Sequence, residues 1–197
     1  MQIQKIISGK IDNNTYILKN DANECLIIDA SANLDEVKSI VGDSQVVGVL
    51  LTHGHYDHFV NLDKIVNEFQ TKCYLSEFEL EKLYSPKLNY SIVFNTFYAT
   101  KLQEENFEKL FNEQQFNLGE FNIRAMLTPG HTNGCMCYLI DDKYLFTGDT
   151  LFENSHGRTD LVTSDEKEMK NSLKFLKENF AGFKFYAGHG EDGIVKK

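Results

Sequence analysis

The stretch Leu51–Val60 reads LTHGHYDHFV, so that three of the chain's six histidines and one aspartate fall within six residues. Imidazole nitrogens and carboxylate oxygens are ligands for zinc, iron and manganese, and the set lacks the thiolates that favour softer ions. His53 and His55 alternate as the chain leaves the apolar run VVGVLL, which lets two imidazoles converge on one point. Asp57 and His58 are adjacent, project differently and suit a second centre. Three further candidates follow apolar runs: His131 in TPGHTNG, Asp149 in FTGDTLF and His189 in AGHG. A structural zinc site closes with four ligands. Five histidines and two aspartates suit two ions that share a carboxylate and leave room for water. Taken singly, His131 and His189 read as turn histidines, Asp57 as the N-cap of a helix starting near Phe59, and Asp149 as a turn aspartate. That all of them stand at strand ends favours the metal reading. His156 is left over, as a surface-loop histidine or a group lining a pocket.

The elements that must position these residues are read from hydrophobic periodicity. Short apolar segments near 2–7, 14–19 and 25–29 read as strands, the pair around Ile17 and Ile27 as a meander; NLDEVKSIV has the spacing of a short amphipathic helix, and VVGVLL is a buried strand. FVNLDKIVNEF puts Phe59, Leu62, Ile65, Val66 and Phe69 on one helical face, and TKCYL is a strand. From Ser76 to about Asn117 no period is sustained, and the segment reads as a mixed insertion over the site. FNIRAML, CMCYLI and KYLFTG are strands with a turn at Asp141–Asp142. SDEKEMKNSLKFLKENF is a helix with Ser164 as its N-cap and Met169, Leu173, Leu176 and Phe180 on one face. FKFYAG is the last strand. Strands followed by a helix, twice, predict one α/β domain over 1–197 in which two related halves pack sheet on sheet with helices outside.

Composition narrows the function. A net charge of −9 and the absence of a basic stripe argue against nucleic acid. No apolar run reaches membrane-spanning length, no cleavable leader opens the chain, and the expected location is the cytoplasm. Cys25, Cys73, Cys135 and Cys137 fall in expected strands without C-x-x-C spacing and read as buried free thiols, Cys135 and Cys137 on one strand face.

The motifs THGHYDH, TPGHTNG, FTGDTLF and AGHG resemble, in order, those of the metallo-β-lactamase fold superfamily, over about Met1 to Gly190. FTGDTLFENSHGRTDL is similar to a segment of the small glyoxalase II-like hydrolases, as is SPKLNYS. The resemblance implies an αββα sandwich of two half-repeats. It implies His53, His55 and His131 on a first metal, Asp57, His58 and His189 on a second, and Asp149 bridging. The cofactors would be two divalent ions, zinc first, with iron or manganese as alternatives. A hydroxide generated between the ions would attack a small acyl thioester such as S-lactoylglutathione, with Asp57 also orienting the hydroxide or carrying its proton. The expected partner is a small anionic molecule. Arg158 would receive its carboxylate or form an ion pair with Asp160. The sequence departs from glyoxalase II at GHGEDG, where those enzymes carry a tyrosine, and at Thr159, where they carry an aromatic residue. Tyr90, Phe94, Phe97 or Tyr98 would supply a substitute wall. A mononuclear iron persulfide dioxygenase and a lactonase share the fold and stand as alternatives, ahead of a non-catalytic binding module.

Overall fold

The inner strands are buried on both faces, and such a strand needs a layer above and a layer below. The computed structural model, which describes residues 1–196, supplies those layers. Its first half runs β1 (Gln2–Ser8), β2 (Asn13–Lys19), β3 (Glu24–Ile28), α1 (Leu34–Val41), β4 (Gln45–Leu50), α2 (Tyr56–Phe59), α3 (Leu62–Phe69), β5 (Cys73–Ser76), α4 (Glu77–Tyr84) and β6 (Phe107–Leu110). The second runs β7 (Gln114–Leu118), β8 (Phe121–Leu127), β9 (Met136–Ile140), β10 (Tyr144–Gly148), α5 (Glu166–Phe180), β11 (Lys184–Ala187) and β12 (Gly193–Ile194). Each half makes a six-stranded sheet, β1 to β6 in chain order and β12 to β7 in reverse. Hairpins join the antiparallel pairs, including β2–β3 with Ile17 opposite Ile27. The parallel pairs β3–β4, β4–β5, β5–β6 and β10–β11 are crossovers that carry the helices.

Successive strand residues serve different layers. Ile17, Ile27 and Val49 pack outward with Val37, Val41, Leu62, Ile65 and Val66 of the helices. Their neighbours Leu18, Leu26, Ile28 and Leu50 face inward, where they meet Phe121, Ile123, Tyr138 and Phe146 of the second sheet. The far side of that sheet presents Met126, Cys137, Leu145 and Phe185 to Leu176 and Phe180 of α5. The architecture is the αββα sandwich.

Several elements differ from their sequence reading. The helix expected from Phe59 to Phe69 is two helices, α2 and α3. Asn61 interrupts it because its backbone N–H donates to the Ala30 carbonyl at 2.9 Å and its side-chain amide to that of Ser31 at 2.9 Å. The N-cap of α5 is Asp165, whose carboxylate accepts from the N–H groups of Lys167 and Glu168. Ser164 does not cap it; its hydroxyl donates to the carbonyl of His131 at 2.6 Å. Cys135 precedes β9 rather than sharing its face with Cys137, and all four cysteines are buried and unpaired. The 76–117 segment holds α4, two short 3₁₀ turns (Ser91–Phe94 and Glu104–Asn106), and the strands β6 and β7 that finish one edge of each sheet. A further short strand, β12, follows the one expected to be last. Among the described residues no helix is long and apolar enough to cross a membrane.

Phe146 joins the two sheets, its ring 5.3 Å from that of Tyr16 and 4.9 Å from that of Tyr186. Truncation to alanine at a buried site of this kind costs about 3–5 kcal/mol. Phe146→Ala should lower unfolding free energy by that amount in a urea titration, with the slope against urea unchanged.

Candidate metal centre

Every candidate residue sits where a strand has just ended. His53 and His55 lie between β4 and α2, Asp57 and His58 in α2, His131 between β8 and β9, Asp149 after β10 and His189 after β11. The two sheets are stitched along this rim by main-chain and hydroxyl contacts. Met136 N–H donates to Thr52 O at 2.9 Å and Asn14 N–H to Gly188 O at 2.8 Å. The hydroxyls of Tyr138 and Tyr16 donate to Leu51 O at 2.8 Å and Ala187 O at 2.7 Å.

The rim brings all seven donors together. His53, His55 and His131 form one group, Asp57, His58 and His189 a second, and His53, His58 and Asp149 a third, each with its ligand atoms within 4.8 Å of one another. Asp149 lies between the first two groups. Its Oδ2 is 3.4 Å from His131 Nε2 and 3.5 Å from His189 Nε2, and its Oδ1 is 3.4 Å from His58 Nε2. Asp57 Oδ2 stands 3.2 Å from His189 Nε2 and 3.4 Å from His58 Nε2.

The outward nitrogens explain which atoms face inward. His131 Nδ1 is 2.9 Å from Arg158 O, and His189 Nδ1 is 2.9 Å from Ile11 O. A carbonyl can only accept, so each of these nitrogens carries the proton and Nε2 is left as the inward donor atom. His58 Nδ1 donates to Asp29 Oδ2 at 2.8 Å, and His53 Nδ1 lies 3.2 Å from the Thr52 hydroxyl, which itself donates to Asp29. His55 turns its Nδ1 inward, 3.1 Å from His53 Nε2 and 2.9 Å from His131 Nε2. One N–H on His55 can bridge only one of those contacts, and its buried Nε2 has no partner, nor does Asp149 Oδ1. Nitrogen lone pairs this close, beside an orphaned carboxylate oxygen, fit a divalent cation.

Three residues of this framework escaped the sequence reading. Asp29, with φ of +58°, accepts from Thr52 N–H at 2.8 Å and orients His58. Asn13 donates to Asp57 Oδ2 at 3.1 Å, and Glu79 of α4 contacts the loops of His55 and His131. Asp29 does share one legible trait with the ligands, a place directly after an apolar strand.

Above the donors lies a cleft of about 660 Å³ walled by Tyr90, Val93, Phe94, Phe152 and Leu161. Of the four aromatics expected as a wall, Tyr90 and Phe94 form part of it. Phe97 is 79% exposed, and Tyr98 packs on Tyr56 and Phe59 instead. Arg158 borders the cleft, and its exposed guanidinium meets Asp160 through two hydrogen bonds of 2.9 Å. His156 also borders it and is exposed.

Residues 9–189 match the family model of the metallo-beta-lactamase superfamily, and the chain belongs to that superfamily. A probable metallo-hydrolase of Streptococcus pyogenes serotype M6 is 34% identical over 205 residues, covering 99% of this chain and 86% of that protein. A probable polyketide biosynthesis zinc-dependent hydrolase of Bacillus velezensis is 31% identical, covering 90% and 72%. A hydroxyacylglutathione hydrolase of Buchnera aphidicola is 28% identical over 87% of this chain, which spans 59% of that enzyme. The crystal structure of the BLEG-1 B3 metallo-beta-lactamase superposes with a TM-score of 0.92 at 29% identity, over 98% of this chain and 94% of that one.

Crowding sets the protonation states of the metal-free protein. Burial, reinforced by the neighbouring imidazoles, pushes His53 well below the usual histidine range, and burial with His131 lowers His55 to about 3. At His58 and His189 burial also disfavours the charge, but Asp149 and Asp57 outweigh it and raise both. Burial opposes ionisation of Asp57 as well, yet His58 and His189 hold its carboxyl down at about 2. Below pH 6.5 the unfolded chain protonates His53 and His55 while the folded protein does not, so stability falls as pH drops from there toward 3. The contribution of His58 and His189 is complete below pH 6.5 and disappears as pH rises through their raised values. These four groups therefore place maximal stability of the chelator-treated protein near pH 6.5, declining on both sides, which thermal unfolding across pH 4–9 measures.

Proposed function

We propose that this chain is a two-metal hydrolase that cleaves a small, anionic acyl thioester, with S-lactoylglutathione the first compound to assay. The observation that carries the reading is the Asp149 carboxylate standing between His131 on one side and His58 and His189 on the other. His53, His55 and His131 would hold one ion, Asp57, His58 and His189 the other, and Asp149 both. Two such ions, when bound, would lower the pKa of a nearby water and polarise a carbonyl group. Zinc is the first candidate, with iron or manganese accepted by the same donors.

The chain's own groups supply the rest. Asp57, fixed by the Asn13 amide at 3.1 Å, has an oxygen at the cleft floor and serves to orient the attacking water and take its proton. A smaller cavity of about 210 Å³ shares Ile11, Asp57 and Phe94 with the main cleft, and the acyl group would enter it as a small arm of the site. Its small volume suits a short acyl group rather than a long one. The large arm takes the thiol portion and ends at Arg158. Because the Arg158–Asp160 pair is exposed it is weak, and the guanidinium can exchange Asp160 for a substrate carboxylate. The similarity to a hydroxyacylglutathione hydrolase supports a thioester, and the unpaired buried cysteines fit a reducing, cytoplasmic setting.

Metal quantification and turnover on one preparation test the reading. The expected result is two equivalents of metal and thioester hydrolysis that falls off as the acyl chain outgrows the small arm. One iron with oxygen consumption and no hydrolysis would replace it with a mononuclear oxygenase, and cleavage of lactones alone with a lactonase. Arg158→Ala should raise KM about tenfold for carboxylate-bearing thioesters while leaving kcat and the KM of neutral ones near wild type. An unchanged KM for the anionic substrate would remove Arg158 from the site.

A further inference from the structure

Helix α4 carries two charged residues with almost no solvent contact, Glu79 (0% exposed) and Lys82 (2%). A buried ion pair is seldom a source of stability, because desolvation offsets the attraction. This one is fully satisfied, and its partners are informative. Glu79 Oε2 accepts from Gly54 N–H at 2.6 Å, and Oε1 accepts from the Thr132 hydroxyl at 2.7 Å and from Lys82 Nζ at 2.9 Å. Lys82 donates its other protons to Phe78 O at 2.6 Å and Asn133 Oδ1 at 2.7 Å. Gly54 separates His53 from His55, and Thr132 and Asn133 follow His131. One carboxylate thus grips both loops that carry the three-imidazole group.

The glycines of these loops fit the same purpose. A Cβ at Gly54 would lie 2.9 Å from Lys82 Cβ and 3.1 Å from Glu79 Oε2, and one at Gly134 would lie 2.5 Å from Glu79 Oε1. Any side chain there would push α4 away from the loops.

We infer that Glu79, held by Lys82, is a positioning residue for the metal site of His53, His55 and His131, fixing the separation of two loops that no secondary structure joins. The inference rests on the reading that these imidazoles hold an ion, and is independent of the substrate. Removing groups that orient metal ligands typically weakens affinity 10–100-fold. The loss should fall on the first ion and spare the one at Asp57, His58 and His189.

The test uses the cobalt(II)-loaded protein, with chelator competition and visible absorption, and His131→Ala as the reference that marks the first ion's signal. Thr132→Val keeps the ion pair, the Gly54 anchor and the Lys82–Asn133 contact but removes the direct hold of Glu79 on the His131 loop. It should weaken the first ion about tenfold and shift its absorption band. Glu79→Gln keeps only one accepting oxygen for the three groups that donate to Glu79 and leaves the Lys82 charge unpaired, and should weaken that ion about 100-fold. Should Glu79→Gln not fold, Thr132→Val decides the matter alone. Folded variants that hold both ions with wild-type affinity and spectrum, or that lose both equally, would overturn the inference. A wild-type protein that takes up no cobalt at the three imidazoles would overturn the two-metal reading along with it.

Discussion

The structure turns on a repulsion. At one rim of the sandwich five imidazoles and two carboxylates aim donor atoms at one another across 2.9–3.5 Å, with the outward nitrogens of His53, His58, His131 and His189 given to oxygen acceptors. Such a cluster is unfavourable without positive charge at its centre. At His58 and His189 of the metal-free protein, protons attracted by Asp149 and Asp57 supply that charge. At His53 and His55 burial disfavours protonation, and at His55 the carboxylates of Asp57 and Asp149 offset it only in part. The rest of the fold can be understood as what holds these donors in place against their mutual repulsion.

The sandwich does this by setting the donors on loops, and on the short helix α2, that follow strand ends. Strands buried on both faces are fixed by three apolar layers, and their ends inherit that rigidity. The rim is then tied across the two sheets through Thr52, Gly188 and the hydroxyls of Tyr16 and Tyr138. Asp29 adopts a left-handed conformation to reach both Thr52 and His58, local strain of the sort proteins tolerate at functional sites. Glu79 ties the two loops that the sheets alone leave separate.

The sequence exposed the candidate ligands readily because His53, His55, Asp57 and His58 are crowded together and the others follow unmistakable apolar runs. The short apolar runs at β2, β3 and β9 made the sandwich legible for the same reason. What stayed hidden depends on tertiary partners. Nothing local marks Asn61 as the break between α2 and α3, since the carbonyls that draw it out of the helix belong to Ala30 and Ser31. Ser164 and Asp165 are equally good caps in isolation, and the choice between them follows from the carbonyl of His131. The strands β6 and β7 are short, and FEKL and QQFNL carry too few apolar residues to reveal a period. Glu79 lies in that same segment as an ordinary helix glutamate, and only the fold reveals what it touches.

Anomalous diffraction from crystals of the metal-loaded protein tests the central claim most directly. The account predicts two peaks about 3.5–4 Å apart with the Asp149 carboxylate between them, one among His53, His55 and His131 and the other among Asp57, His58 and His189. A single peak enclosed by four of these side chains, or donors turned away from the metal density, would contradict it.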